Sequence, residues 1–163
     1  MYLGFNADEI FSVAIEIEEN GRVFYGKARE LTDNKEVRNL FSYLEQAEIN
    51  HKEKFTELRS RLPDKATSEA VWDPDNEDDE YLKILADTNV FRKDTDVKDK
   101  LSRISDFTDS LKLAIQFEKD SILFYSFIKD FTDKSKGREF IDKIIDEEKK
   151  HLRELSRELN RHH

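Results

Sequence analysis

Residues 44–58 read LEQAEINHKEKFTEL, and residues 144–155 read IIDEEKKHLREL. In each stretch a glutamate stands three residues before a histidine, which gives the pairs Glu48 with His51 and Glu148 with His151. Residues three apart share one face of an α-helix. Leucine, isoleucine, alanine and phenylalanine recur on the same faces, so each pair is predicted to point from a long helix into an apolar core.

Four segments of the chain carry apolar residues at helical spacing. The predicted helices run from about Ala7 to Leu31, Lys35 to Leu62, Phe107 to Phe131 and Gly137 to Asn160. Asn6 or Asp8 is placed to cap the first helix, and Pro63 follows the second, where a helix should stop. With 163 residues, the chain is expected to form one domain, residues 1–163.

The connections between these helices differ in length. Residues 32–34 and 132–136 are short and polar, so each link should join antiparallel neighbours. The middle connection is long enough to cross the bundle, which would let the second and third helices run parallel. Its acidic run, 73–80, is interpreted as a solvated loop, and a short helix is predicted from Tyr81 to Ala86.

The predicted fold is therefore all-α. It is an antiparallel four-helix bundle made of two helix hairpins and a long crossover connection. The three parts are the hairpin 7–62, the crossover 63–106 and the hairpin 107–160.

The two halves of the chain align without a gap when one is shifted by 100 positions. Identities are few, but they include every residue that we single out for the chemistry of the site. The matched pairs are Glu18 with Glu118, Tyr25 with Tyr125, Glu48 with Glu148 and His51 with His151. An internal repeat of this kind predicts two related hairpins about a pseudo-twofold axis.

Six ionisable side chains lie on the apolar faces of the four predicted helices. A buried carboxylate without a partner costs several kcal/mol, and no lysine or arginine occupies the same faces. Two divalent cations would balance four carboxylates. One Glu from each of two helices, with Glu-x-x-His from each of the others, is a dinuclear pattern of bundle cores. The predicted metal ligands are Glu18, Glu48, His51, Glu118, Glu148 and His151.

The donor types also indicate the metal. Carboxylates and imidazoles suit iron or manganese better than copper(I), and calcium seldom uses histidine. The chain has no cysteine, which excludes thiolate ligands, disulfides and a thiol nucleophile. We therefore predict two iron ions, with manganese or zinc as alternatives.

Several neighbours of the predicted ligands are candidates for supporting roles. Tyr25 and Tyr125 follow the ligands of the first and third helices by two turns, and their hydroxyls could hydrogen-bond carboxylates across the bundle. The alternative is that both are ordinary core aromatics. Gly21 and Ser121, one turn after the same ligands, could leave room for oxygen or peroxide.

Other residues near the site are given no role in the chemistry. The neighbouring glutamates are expected to face outward as helix-surface charges: Glu16, Glu19, Glu45 and Glu147. Trp72, His162 and His163 are likewise assigned no function.

Four motifs resemble those of the rubrerythrin-type branch of the ferritin-like diiron-carboxylate proteins. They are Ala14-Ile15-…-Glu18-…-Tyr25, Glu48-…-His51, Ala114-Ile115-…-Glu118-Lys119-Asp120-Ser121-…-Tyr125 and Glu148-…-His151. The resemblance covers all four helices but not the crossover. It implies a ferritin-like bundle in which Glu18 and Glu118 are mainly terminal ligands. It also implies that Glu48 and Glu148 are bridging ligands, and that His51 and His151 each bind one iron.

The resemblance implies an activity as well. Members of this branch commonly reduce hydrogen peroxide or oxygen, others oxidise Fe(II) for storage, and many are dimers or larger assemblies. Full-length rubrerythrins carry a cysteine-ligated rubredoxin domain, so this cysteine-free chain is expected to use a separate electron-donor protein. Rubrerythrins also have an additional glutamate ligand, where this chain has Gly21 and Ser121.

Charge and hydropathy exclude other classes of function. The net charge is −9 and no basic face is evident, which disfavours a nucleic-acid partner. No stretch reaches about 18 apolar residues, so no membrane span is expected and a cytoplasmic location is predicted. We expect a diiron oxidoreductase. The alternatives are a ferroxidase or iron-handling protein, and a non-enzymatic bundle that its metals only stabilise.

Overall fold

The computed structural model describes residues 6–62, 75, 77–130, 132 and 137–162. This described part of the chain contains six α-helices and no strand. The helices are α1 (Ala7–Glu30), α2 (Lys35–Ser60), α3 (Glu77–Asp87), α4 (Asp94–Ser102), α5 (Phe107–Asp130) and α6 (Arg138–Arg161). The predicted all-α class is confirmed, and the four long helices begin and end within two residues of the predicted positions.

Side-chain caps set the starts of α1 and α2. Oδ1 of Asn6 accepts a hydrogen bond of 2.9 Å from the backbone N–H of Glu9, and Glu9 accepts one of 3.0 Å from the backbone N–H of Asn6. This reciprocal pair is a capping box. Asn34 caps α2 with its side-chain oxygen, which accepts a hydrogen bond of 3.0 Å from the backbone N–H of Val37.

The helices α1 and α2 form an antiparallel hairpin. Arg59, near the end of α2, pairs at 2.7 Å with Asp8 in the first turn of α1. At the other end of the hairpin, Arg29 pairs with Glu45 at 3.0 Å. Contacts at both ends fix the direction of the two helices.

The helices α5 and α6 form the second antiparallel hairpin. The ring of Phe107, which begins α5, lies 4.8 Å from the ring of His162, just after α6. Near the turn of the hairpin, Lys129 pairs with Asp142 at 3.1 Å. His162, which was given no function, therefore packs at the open end of the second hairpin.

The two hairpins face each other with α1 antiparallel to α5. Tyr25, late in α1, contacts Glu118 in the middle of α5, while Tyr125, later in α5, contacts Glu18. Because α1 is antiparallel to both α2 and α5, α2 and α5 run parallel, as the long connection between them predicted.

The crossover contributes two short helices. The helix predicted from Tyr81 to Ala86 is present as α3 but begins earlier, so the interpretation of 77–80 as a loop is wrong. Those four residues form an acidic first turn, which the positive end of the helix dipole stabilises. The helix α4 was not predicted; it is short, and Val97 is its buried apolar residue. Other predictions fall outside the described residues: Pro63, Trp72, residues 73, 74, 76 and 133–136, and His163.

A segment of the crossover is fixed to both hairpins. Asn20 of α1 donates a hydrogen bond of 2.6 Å to the carbonyl of Phe91, and Asp120 of α5 accepts one of 2.9 Å from the N–H of Val90. The ring of Phe91 packs 5.2 Å from that of Phe117. The crossover thus closes over the aromatic core between α1 and α5. None of the described helices is long and apolar enough to span a membrane.

Candidate metal centre

All six predicted ligands converge in the middle of the bundle, and each is at most 2% exposed. Their ligand atoms form two overlapping groups, in each of which the atoms lie within 4.8 Å of one another. One group is Glu18, Glu48, His51 and Glu148; the other is Glu48, Glu118, Glu148 and His151. The groups share Glu48 and Glu148, so one glutamate from each hairpin belongs to both.

Glu148 lies between the two histidines. Its Oε1 is 3.1 Å from Nδ1 of His51, and its Oε2 is 3.0 Å from Nδ1 of His151. The two imidazole rings stack with their centroids 5.9 Å apart. Both histidines therefore present the same ring nitrogen to a single carboxylate, one from each side.

Many buried polar atoms of this cluster have no hydrogen-bond partner. They are Oε2 of Glu18, both carboxylate oxygens of Glu48, Oε2 of Glu118, Oε1 of Glu148 and Nδ1 of His51. Buried polar groups are normally paired, because an unpaired one loses its hydration without compensation. Oxygen and imidazole nitrogen atoms concentrated this way fit two hard or borderline divalent cations.

The electrostatics of the metal-free cluster lead to the same conclusion. Burial raises the pKa of Glu48 and Glu118 well above the ordinary range, and the neighbouring carboxylates raise it further. Burial alone would lower the pKa of the histidines, but the carboxylates outweigh it. The pKa of His51 is raised well above its usual value, and that of His151 to about 10. Without metal, the cluster holds protons in place of cations.

Two tyrosines hold carboxylates across the bundle. Tyr25 on α1 donates a hydrogen bond of 2.6 Å to Oε1 of Glu118 on α5, and Tyr125 on α5 donates one to Oε1 of Glu18 on α1. Both tyrosines are fully buried, and burial raises their pKa well above the usual value. The nearby carboxylates raise the pKa of both phenols further. Each phenol therefore keeps its proton and acts as a donor.

The space beside Gly21 is filled, contrary to the expectation of room for oxygen. A Cβ at this position would lie 2.5 Å from Cζ of Phe117 and 3.0 Å from Oε2 of Glu48. Glycine here lets the Phe117 ring and a predicted ligand approach the α1 backbone. Ser121, at the matching position of α5, is fully buried, and its hydroxyl has no hydrogen-bond partner in the described structure.

One neighbour of the site departs from the sequence-based expectation. Glu147 has an exposed carboxylate, yet its Oε2 lies 2.6 Å from Nε2 of His51 on the opposite hairpin. The other three glutamates expected to face outward form ion pairs with surface cations. These pairs are Glu16 with Arg92, Glu19 with Arg22 and Lys52, and Glu45 with Arg29. The signal for Glu147 was its position next to Glu148, where the first half of the repeat has Ala47.

Comparison with known proteins agrees with this geometry. The sequence model of the Rubrerythrin family matches residues 9–159. The chain belongs to the rubrerythrin family. Its family and its buried cluster of glutamates and histidines both indicate a diiron site.

A solved structure supports the same assignment. It is the crystal structure of a candidate ferritin-like diiron-carboxylate protein from Thermotoga maritima. This rubrerythrin-family chain resembles it with a TM-score of 0.70 and 28% sequence identity, over 98% of each chain. Among curated proteins, none matches. The predicted resemblance and the ferritin-like bundle are thereby confirmed.

Proposed function

We propose that this chain binds two iron ions between its six buried ligands and acts as an oxidoreductase that reduces hydrogen peroxide or dioxygen. The observation that carries the proposal is the pair of ligand groups sharing Glu48 and Glu148. In this proposal those two glutamates would be the ligands that the two metal positions share. Glu18 and His51 complete one metal position, and Glu118 and His151 complete the other.

The protein's part in this chemistry is charge balance, orientation and exclusion of water. Four carboxylates match the charge of two divalent cations, so the loaded core is close to neutral. Bound Fe(II) ions supply two electrons, one each, for the reduction of an O–O bond. Tyr25 and Tyr125 hold Glu118 and Glu18 by one oxygen each, which leaves the second oxygen of each carboxylate to face the site.

The proposal includes partners and surroundings. Reduction to water consumes two electrons and two protons per peroxide, so repeated turnover needs an electron donor. The chain has no cysteine to hold a rubredoxin-type iron, and we propose a separate electron-donor protein. A cytoplasmic location and a homodimer or larger assembly belong to the same proposal.

A second candidate is oxidation of Fe(II) as a ferroxidase. Ser121 favours it: it is buried one turn after Glu118, at one of the two positions where the family resemblance implies an additional glutamate ligand. Without that carboxylate the ligand set is nearly symmetric between the two halves. A purely structural role for the metals is the third alternative, and it predicts binding without turnover.

The test is anaerobic titration of the metal-free protein with Fe(II), followed by optical measurement of oxidation after adding peroxide or dioxygen. Two irons per chain, oxidised much faster by peroxide than by dioxygen, would support the peroxidase. Fast oxidation by dioxygen would favour the ferroxidase, and slow oxidation by both a structural role. The double variant Glu48→Ala/Glu148→Ala should lose stoichiometric binding, whereas the exposed control Glu53→Gln should keep it. Intact binding in the double variant would overturn the assignment.

A further inference from the structure

We propose that Glu147 is a positioning residue for His51 and makes the two metal positions unequal, with the position at His51 binding its ion more tightly. This inference rests on the proposed dinuclear site. The carboxylate of Glu147 comes from α6 of one hairpin, and the imidazole comes from α2 of the other. Their contact therefore joins the two hairpins at the edge of the ligand cluster.

The hydrogen bond fixes which nitrogen of His51 faces the metal site. Nε2 lies 2.6 Å from Oε2 of Glu147, so the proton on Nε2 is donated outward. Nδ1 faces inward, 3.1 Å from Oε1 of Glu148 and 3.5 Å from Oε2 of Glu18, and has no hydrogen-bond partner. A carboxylate on the outer nitrogen makes the inner nitrogen a better donor and stops the ring from turning.

The second histidine lacks this support. In the described part of the chain, the carboxylates within ion-pair distance of the His151 ring are Glu118 and Glu148, both predicted ligands. The repeat places Ala47 where the other half has Glu147. The Tyr43 ring packs perpendicular to the His151 ring instead, with 5.6 Å between their centroids. The six predicted ligands are thus the same in both halves of the repeat, but the residues that contact the outer sides of the two histidines differ.

The exposure of Glu147 makes the inference testable without disturbing the core. Its side chain is 57% exposed, so replacing it removes no packed apolar surface. Hydrogen bonds from carboxylates to metal-bound histidines typically change metal affinity by about 10- to 100-fold. Solvent competes for this exposed carboxylate, and we expect an effect near the lower limit, roughly tenfold.

The experiment is titration of the metal-free protein with Co(II), followed by calorimetry and by the visible absorption of the bound ion. The wild type should bind two ions in two unequal steps. Glu147→Gln should weaken the tighter step roughly tenfold and bring the two affinities together. Glu147→Asp should restore part of the difference. The matched control is Asp146→Asn, which removes one charge from the adjacent exposed position and should leave both steps unchanged.

A second readout separates positioning from a general charge effect. In the wild type, the proton on Nε2 of His51 should exchange slowly with solvent and give an imidazole resonance in the proton NMR spectrum. Glu147→Gln should lose this resonance, while its thermal unfolding temperature should equal that of the wild type. Two-ion binding with identical isotherms in wild type and Glu147→Gln would overturn the role of Glu147 and leave the dinuclear site standing. Equal weakening of both steps would also overturn it. Failure of the wild type to bind two ions would overturn the proposed function itself.

Discussion

Tyr25 and Glu118 are joined by a fully buried hydrogen bond of 2.6 Å that crosses from α1 to α5. The repeat-related pair, Tyr125 and Glu18, makes the same contact in the opposite direction. In both glutamates the tyrosine holds Oε1, and Oε2 is left without a hydrogen-bond partner. The phenols therefore determine which oxygen of each carboxylate is available in the ligand cluster, and they tie the two hairpins together.

Tyr25→Phe should destabilise the metal-free protein by about 1–3 kcal/mol, because Oε1 of Glu118 would stay buried without a donor. The measurement is urea unfolding of the metal-free protein, with the free energy of unfolding compared between variants. Tyr81→Phe is the control, since Tyr81 is 42% exposed, and its stability should stay within about 0.5 kcal/mol of the wild type. If Tyr25→Phe and Tyr81→Phe lowered the free energy of unfolding equally, the buried hydrogen bond would contribute no more to stability than an exposed hydroxyl does.

Glu48→Gln should separate stability from metal binding. Both carboxylate oxygens of Glu48 are buried without hydrogen-bond partners, and burial raises the pKa of this group. At neutral pH the metal-free protein must therefore take up a proton at Glu48 when it folds, and glutamine avoids that cost, so the change should raise the metal-free stability by roughly 1 kcal/mol. The same change removes a predicted ligand from both of the candidate metal-binding groups. We therefore expect a more stable protein that responds less to metal.

Thermal unfolding with and without Co(II) measures this response. At an ion concentration 100 times the dissociation constant, each site adds about 2.7 kcal/mol to the wild type. Two such sites would raise the unfolding temperature by roughly 10–20 °C in a chain of this size. Glu48→Gln should show much less of this rise, and Glu53→Gln should show all of it. A full metal-induced rise in Glu48→Gln would contradict the placement of Glu48 at the centre of the site.

The apolar spacing of the sequence was enough to predict the long helices and the convergence of the six predicted metal ligands. A helix of more than twenty residues with a continuous apolar stripe has one way to bury that stripe, and its glutamates and histidines are carried inward with it. Helix α4 has no such stripe; among its described side chains Val97 is the buried one, and tertiary contact with α1 decides its structure. Spacing along one chain segment carries no information of that kind.

The missed features of the site are contacts between distant segments. Whether Gly21 opens a cavity depends on the position of Phe117, which is almost a hundred residues away and fills that space. Whether Glu147 faces solvent or contacts His51 depends on how close α2 passes to α6. In the structure its carboxylate does both, since it is exposed and still reaches His51. Helical periodicity assigns a residue to a face but cannot show what lies opposite that face.

The ion pair between Asp8 and Arg59 predicts a small pH-dependent contribution to stability. The hydrogen bond from Arg59 lowers the pKa of Asp8, so the folded state favours the ionised carboxylate. The contribution is therefore present above the unfolded pKa of about 4 and is lost as the pH falls through the lowered folded value. Asp8→Asn should cost about 0.2–1 kcal/mol at pH 7. The difference from the wild type in urea unfolding should shrink steadily as the pH falls below about 4, and high salt should reduce it.

A difference that persists unchanged at low pH would show that Asp8 stabilises α1 by some other route than its charge. Lys54→Gln is a suitable control, because Lys54 is half-exposed and its pair with Glu57 lies within α2 alone. The free energy of unfolding of Lys54→Gln should stay close to that of the wild type, because this substitution leaves the contact with the first turn of α1 intact. The comparison isolates the pair that closes the end of the first hairpin.

Gly21→Ala should destabilise the protein, although alanine is the better helix former by about 1 kcal/mol. The added Cβ would lie 2.5 Å from Cζ of Phe117, whose ring is fully buried between Phe91 and Tyr25 and has little space to move. Overpacking of this kind costs about 1–3 kcal/mol, so we expect a net loss of up to about 2 kcal/mol in urea unfolding. Metal affinity should fall as well, since the same Cβ would lie 3.0 Å from Oε2 of Glu48.

Gly26→Ala, in the same helix, provides the matched control. Its Cβ would meet Oε1 of Glu45 at 2.8 Å, but that atom ends a flexible side chain and can move aside. The helix preference should then dominate, giving a gain of up to about 1 kcal/mol with unchanged metal binding. Shortening the opposing ring in the double variant Gly21→Ala/Phe117→Leu should recover part of the loss. A gain in stability for Gly21→Ala alone would mean that Phe117 yields easily, and that the space beside the ligands is more adaptable than its packing indicates.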